Sequence, residues 1–178
     1  MEARALLQAA KRGEMEALEE LCRIYHPRLC RYAYVLTHSR EEAEDVAQEA
    51  LVAMLRALPD FRGADAGKFE GWLFRIARNR VYSEARRKRP APIPEGFDPP
   101  DPAPPPGERL ERIERRAHIL RALDSLDAEM REMVILRYEM ELSYAQIAAA
   151  MELSQTRVKW RLRDAREKLR TLLEGEDV

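Results

Sequence analysis

The stretch PAPIPEGFDPPDPAPPPG, residues 90–107, constrains this chain more than any other, because nine of the eleven prolines lie within it. Proline fixes φ at about −65° and has no N–H to donate, so neither a helix nor an interior strand passes through such a run. The segment is predicted to be a semi-rigid linker, largely polyproline II. At ~3.1 Å per residue it could span up to about 55 Å between two folded units. The chain is accordingly expected to divide into an N-terminal domain, residues 1–89, and a C-terminal domain, residues 108–178.

Both flanks read as helix. Period-two alternation is missing, whereas apolar residues recur at i, i+3, i+4 over Ala5–Leu21, Ile24–Leu36, Arg40–Leu58, Lys68–Arg87, Leu110–Leu126 and Ala128–Tyr138. The same spacing returns twice in LSYAQIAAAMELSQTRVKWRLRDAR, Leu142–Arg166, on either side of Glu152–Leu153–Ser154, a break of helix-turn-helix length. Ser39, with Glu42 three residues on, predicts a capping box; Asp127, Ser143 and Ser154 are further N-cap candidates. The expected fold class is all-α, two small helical bundles joined by the linker.

With 46% apolar residues in 178, a real core is affordable. The N-terminus has no charged-apolar-small leader, and no apolar run approaches the ~18 residues that span a bilayer, so a cytoplasmic protein without membrane contact of its own is expected. Cys22, His26 and Cys30 fall at i, i+4, i+8 on one helical face, but Pro27 disturbs that turn and no fourth ligand is near. Core packing accounts for them better than a metal site, and no cofactor is expected.

The net charge of −1 conceals strong segregation. Trp72–Arg89 carries seven Arg/Lys against Glu84 alone, and Ser154–Arg170 carries seven against Asp164 and Glu167; Glu14–Glu49 reverses the balance, nine acids against four Arg. Two basic faces for one kind of partner and an acidic face for another follow from this placement.

On a helical wheel the segment from Arg40 buries Ala43, Val46, Ala47, Ala50, Leu51, Met54 and Leu58 and shows Glu41, Asp45, Gln48, Glu49, Val52 and Arg56. A solvated face is the ordinary reading of such an acidic row; the apolar Val52 among the acids points instead to docking of a basic partner. The segment Lys68–Arg89 buries Phe69, Trp72, Leu73 and Ile76, and its far side collects Arg75, Arg78, Asn79, Tyr82, Arg86 and Arg89. Arginine neutralises phosphate, asparagine pairs with base edges and tyrosine stacks on unpaired bases, so this face suits nucleic acid. FRGADAGKFEGW, Phe61–Trp72, precedes it with three glycines but no phosphate-loop pattern. The last helix is expected to bury Gln155, Val158, Leu162, Ala165 and Leu169 and to present Thr156, Lys159, Trp160, Arg163, Arg166 and Arg170.

With these faces in hand, the chain resembles the extracytoplasmic-function (ECF) sigma factors of bacterial RNA polymerase, compact members of the sigma-70 family. EEAEDVAQEALVAML is similar to the family's clamp-binding helix, FRGADAGKFEGWLFRIARNRVYSEARRKR to its promoter-melting loop and helix, and LDSLDAEMREMVILRYEMELSYAQIAAAMELSQTRVKWRLRDAREKL to its upstream-element reader. The resemblance implies that Asp45, Gln48, Glu49, Leu51 and Val52 meet the polymerase core at its clamp. It places Phe61, Arg62, Gly63, Lys68, Arg75, Arg78, Asn79, Tyr82 and Arg86 on minus-10 DNA, the loop capturing a flipped base. It places Gln155, Thr156, Arg157, Lys159, Trp160, Arg163 and Arg166 on the minus-35 element. Implied partners are the polymerase core (clamp and flap), promoter DNA and an anti-sigma factor, with no small-molecule substrate.

The chain departs from the family pattern at several positions. Leu51 stands for the usual Phe, Ser83 for the Asp after ARN, Asp127 for a Pro, Glu152 for the turn glycine, Thr156–Arg157 for a common Gly-Thr pair, and Trp160 for a small residue. A left-handed Glu152 would cost roughly 1 kcal/mol. An enzyme is the weakest reading, with three histidines and no nucleophile–base pair or metal cluster in the sequence. The serious competitor is a stand-alone helix-turn-helix regulator that binds an operator without polymerase; such proteins usually dimerise, and this chain has no heptad repeat.

Overall fold

The computed structural model describes residues 3–63, 66–87 and 121–174. Four helices make the N-terminal group: α1 (Ala3–Lys11), α2 (Met15–Thr37), α3 (Arg40–Ala57) and α4 (Ala66–Arg87). After a helical turn at 121–124 come α5 (Ala128–Val134), continuing as a π-helical stretch Ile135–Glu139, then α6 (Tyr144–Met151) and α7 (Gln155–Glu174). No strand occurs among the described residues. The proline-rich segment and most of the helix expected over Leu110–Leu126 lie outside them.

Local chemistry sets the helix ends. Ser39 accepts from the Glu42 N–H at 3.3 Å and opens α3. Ser143 and Gln146 form a full capping box at α6, and Ser154 accepts from the Arg157 N–H at 3.2 Å to open α7. At α5 the Asp127 carboxylate accepts from the Met130 N–H at 2.9 Å. One boundary differs from the periodicity: the break falls at residues 12–14, not near residue 22, and α2 runs 23 residues straight through Pro27. Buried Tyr25, Leu29 and Tyr32 on either side anchor it, so packing outweighs the one hydrogen bond that proline removes.

The core of the first group is Leu29, Tyr32, Met54, Leu58, Phe69, Leu73 and Phe74, each almost fully buried. Around α5–α7 it is Met133, Leu136, Met140, Leu142, Ile147, Val158, Leu162 and Ala165. These are one continuous apolar cluster. The two groups therefore lie well within the upper limit set by the linker's reach; α4 packs directly on α6. Gly71 makes that crossing possible: a Cβ built there would sit 3.0 Å from Ala149 Cβ and 3.0 Å from the Gln146 carbonyl.

Candidate nucleic-acid interface

On α3, every residue expected inside is buried, and Asp45, Gln48, Glu49 and Val52 are exposed. Val52 is 45% exposed and Leu55, absent from the sequence reading, 36%; together they put an apolar ridge beside the acids. Leu51 is different: at 7% exposure it belongs to the core, so it supports the docking face from beneath instead of lining it. Glu49 pairs with Arg80 of α4 at 3.3 Å, linking this face to the next.

The loop before α4 is built on aromatic rings. Phe61 stacks on Trp72 (centroids 4.7 Å apart, planes 29°) and meets Phe69 edge-on at 5.9 Å. Lys11 of α1 donates to the Phe61 carbonyl and lies over its ring. A Cβ on Gly63 would fall 2.2 Å from Phe61 Cζ, so the backbone passes the ring at a distance only glycine allows. Arg62 and Lys68 lie on the surface, and residues 64 and 65 are outside the described set.

On α4 the structure divides the expected DNA face. Asn79 and Arg86 are exposed, while Arg89 lies outside the described residues. Arg75 reaches Glu152 at 3.5 Å. Tyr82, expected to face outward among the arginines, instead turns toward α5. Its hydroxyl donates to Glu132 Oε2 at 2.8 Å, and the Arg78 guanidinium lies 4.7 Å from the centre of its ring.

Glu132 is the centre of this contact, and sequence reasoning missed it. Its carboxylate is fully buried and accepts from Tyr32 Oη at 2.6 Å, Arg78 Nε at 2.9 Å and Tyr82 Oη at 2.8 Å. A buried carboxylate survives only with such compensation. Burial, then the Glu132 charge, raises Tyr32 far above the ordinary phenol value, and the same causes push Tyr82 up to about 12. Burial opposes the Arg78 charge, but Glu132 and the two phenol groups outweigh it and hold the guanidinium more firmly protonated than usual. A glutamate within EMREMVILRY gives no sign in sequence that it will be buried, because its partners are 50 and more residues away.

A second polar cluster closes the same crossing. Arg28 donates to Glu70 at 2.6 Å and to the Met140 carbonyl at 2.8 Å, and Gln146 Nε2 donates to the other Glu70 oxygen at 2.6 Å.

The C-terminal helix pair has the expected form. Glu152 ends α6 in the left-handed region, φ 57°, so a side-chain-bearing residue there bears the predicted strain. On α7, Val158, Leu162 and Ala165 are buried and Leu169 partly so, while Thr156, Lys159, Trp160, Arg163, Arg166 and Arg170 are exposed. Gln155, expected to be buried, is exposed at the helix start. Trp160 is 54% exposed and the Arg163 guanidinium lies 4.1 Å from the ring centre, so the two leave the helix as one stacked unit. Arg157 is committed elsewhere: with Arg161 it grips Glu129 and Asp127 at 2.8–3.1 Å, bracing α7 against the start of α5.

Cys22 and Cys30 are partly buried thiols packed against the core, and burial raises both pKa values. His26 approaches Cys30 at 3.8 Å, and among the described residues no group of three His, Cys, Asp or Glu side chains is arranged to hold a metal. No helix among them is long and apolar enough to cross a membrane.

Comparison with known proteins bears directly on these surfaces. Residues 21–90 match the sigma-70 region 2 family and residues 122–171 the sigma-70 region 4 family, which places the clamp-like helix and the aromatic loop in the first and the helix-turn-helix in the second. The ECF RNA polymerase sigma factor SigE of Mycolicibacterium smegmatis is 33% identical over 163 residues, 89% of this chain and 62% of that protein. The RNA polymerase sigma-H factor of Pseudomonas aeruginosa is 32% identical over 173 residues, covering 91% of this chain and 89% of its relative. A solved structure of CnrH in complex with the cytosolic domain of CnrY superposes with a TM-score of 0.72 at 28% identity, over 98% of both chains. Two family matches in this order, with relatives aligned across both of them, make the chain a member of the extracytoplasmic-function group of sigma-70-type RNA polymerase sigma factors.

Proposed function

We propose that this chain directs bacterial RNA polymerase to a set of promoters by gripping DNA at two points, performing no covalent chemistry itself. Residues 1–89 form the polymerase-docking and minus-10 unit, 90–107 the tether, and 108–178 the minus-35 reader. Asp45, Gln48, Glu49 and Val52 dock on a basic surface of the core, with Leu55 extending the ridge. The Phe61–Lys68 loop, whose Phe61 stacks on Trp72, receives an extruded base, and Arg75, Arg78, Asn79, Tyr82 and Arg86 hold the adjoining strand. Thr156, Lys159, Trp160, Arg163 and Arg166 enter the major groove, with Gln155 at the mouth of the helix.

The observation that carries this reading is α7: twenty residues of helix with one face buried in a helix-turn-helix and the other exposing Lys159, Arg163, Arg166 and Arg170 around the Trp160–Arg163 stack, with Glu167 the acid among them. The protein works in the cytoplasm, where polymerase and DNA are. A protein partner, an anti-sigma factor, is expected; the solved relative CnrH is held in complex with the cytosolic domain of CnrY. The test is transcription from a randomised promoter library by core polymerase with and without the protein. Start sites that depend on the protein and share two spaced motifs are expected; a library transcribed identically in both reactions would refute the assignment.

A further inference from the structure

The cations of α7 are not equivalent, and their partners sort them. Arg157 and Arg161 hold Glu129 and Asp127 at the start of α5 at 2.8–3.1 Å, and Arg166 Nε donates to the Leu162 carbonyl of its own helix at 3.3 Å. Arg163 is placed differently. Its guanidinium lies over the Trp160 ring at 4.1 Å, and its Nε is 3.7 Å from Asp164, too long for a hydrogen bond. The two terminal nitrogens donate to nothing among the described residues. The indole thus sets the plane of the guanidinium before any ligand arrives, sparing rotamer freedom that an unsupported arginine would lose on binding. A phosphate gains little from a preset plane, because its oxygens accept from many directions. Guanine gains much, because its O6 and N7 accept side by side from a coplanar fork.

The same stack bears on the neighbouring base pair. With the guanidinium in the plane of one pair, a ring that covers it at 4.1 Å stands about one base-pair rise, ~3.4 Å, to one side. Trp160 is 54% exposed, so its free carbons there face the major-groove edge of the next pair, where the apolar group is the thymine methyl. We infer that Trp160 and Arg163 together read one base-pair step of the promoter: a G·C pair whose guanine O6 and N7 receive Arg163, beside an A·T pair whose thymine methyl meets the Trp160 ring. The inference rests on the assignment of α7 to the minus-35 element, and it names base pairs which that assignment leaves open. Trp160 serves twice, as the surface that orients Arg163 and as the contact to the adjoining methyl.

The test is transcription by core polymerase and the full chain from a library randomised over both promoter elements, read as base preference at each position for wild type, Arg163→Gln and Trp160→Ala. Both side chains are exposed, so both variants keep the fold. Wild type should enrich a G·C pair next to an A·T pair in the minus-35 element. Arg163→Gln should lose the guanine preference there by about tenfold or more, with minus-10 preferences unchanged; an arginine that only neutralised phosphate would, when replaced, lower all sequences alike. Trp160→Ala should flatten the adjoining position and weaken the guanine preference in part. On one enriched promoter, deoxyuridine in place of that thymine removes only the methyl, and should lower wild-type use about fourfold while leaving Trp160→Ala unaffected. A minus-35 motif without such a step, a uniform loss in Arg163→Gln, or a deoxyuridine effect absent in wild type or equal in both proteins would overturn the paired reading and leave the sigma assignment standing. If wild type supports no start sites, the assignment falls and takes the paired reading with it.

Discussion

Asp127 has two tasks in the structure. Its carboxylate caps α5 through the Met130 N–H at 2.9 Å, and both its oxygens receive Arg161 Nη2, at 2.9 and 3.0 Å. The cap is worth about 1 kcal/mol. The ion pair joins side chains 31% and 46% exposed, so solvent screening holds it to about 0.5 kcal/mol. Asp127→Ala should therefore cost about 1.5 kcal/mol, and Asp127→Ser, which keeps a capping oxygen, about 0.5. For a chain of this length that is a fall in Tm of roughly 3–6 °C for alanine and about 1–2 °C for serine. Far-UV circular dichroism of the full chain at neutral pH reads both. The hydrogen bond from Met130, then Arg161, holds the Asp127 carboxyl below its ordinary value, so its contribution is present above the unfolded carboxylate range near pH 3.9 and is lost as pH falls through the lower folded value. The gap between wild type and Asp127→Ala should accordingly close in acid. Equal losses for serine and alanine, or a gap that persists unchanged at pH 2, would refute the reasoning.

Further expectations follow from the three surfaces. Asp45→Ala combined with Gln48→Ala removes two exposed docking groups without disturbing the core, and should weaken binding to core polymerase several-fold or more; unchanged affinity in a titration would remove α3 from the interface. Arg163→Ala should reduce transcription from promoters that rely on the minus-35 element by about tenfold, the worth of one good base contact, while leaving thermal stability within ±0.5 kcal/mol. Tyr82 has a raised folded pKa of about 12, so its contribution to the contact with Glu132 is complete below the unfolded phenol value near 10 and fades as pH rises from about 10 to 12. Small-angle scattering should show the wild-type chain expanding over that window, and Tyr82→Phe should lose that part of the alkaline response.

Much of this was legible from spacing alone. The buried stripe of α3, the capping residues Ser39, Ser143 and Asp127, and the division of α7 into buried and exposed faces all obey the 3.6-residue period, which reports the nearest core. What the period does not report is a second neighbour. Tyr82 and Arg78 read as a solvent-facing cationic surface because they lie opposite Phe69 and Leu73; they are partly covered because a different helix group arrives with a carboxylate. Phe74 escaped notice for the same reason: it lies beyond the apolar stripe yet is fully buried, packed edge-on against Tyr32 at 5.4 Å. The break between α1 and α2 and the run through Pro27 were hidden because an amphipathic pattern continues across both, and only packing decides where the backbone bends. Leu51 was assigned to two faces at once, and burial resolves it as core.

Binding of one selected promoter, measured for the chain alone and again with core polymerase added, tests the central claim most directly. A sigma factor of this architecture should hold that promoter weakly by itself, with affinity rising by orders of magnitude once core is present and protection covering both the minus-10 and minus-35 elements. Tight, sequence-specific binding by the chain alone, with no change on adding core, would contradict the account and restore the stand-alone helix-turn-helix regulator.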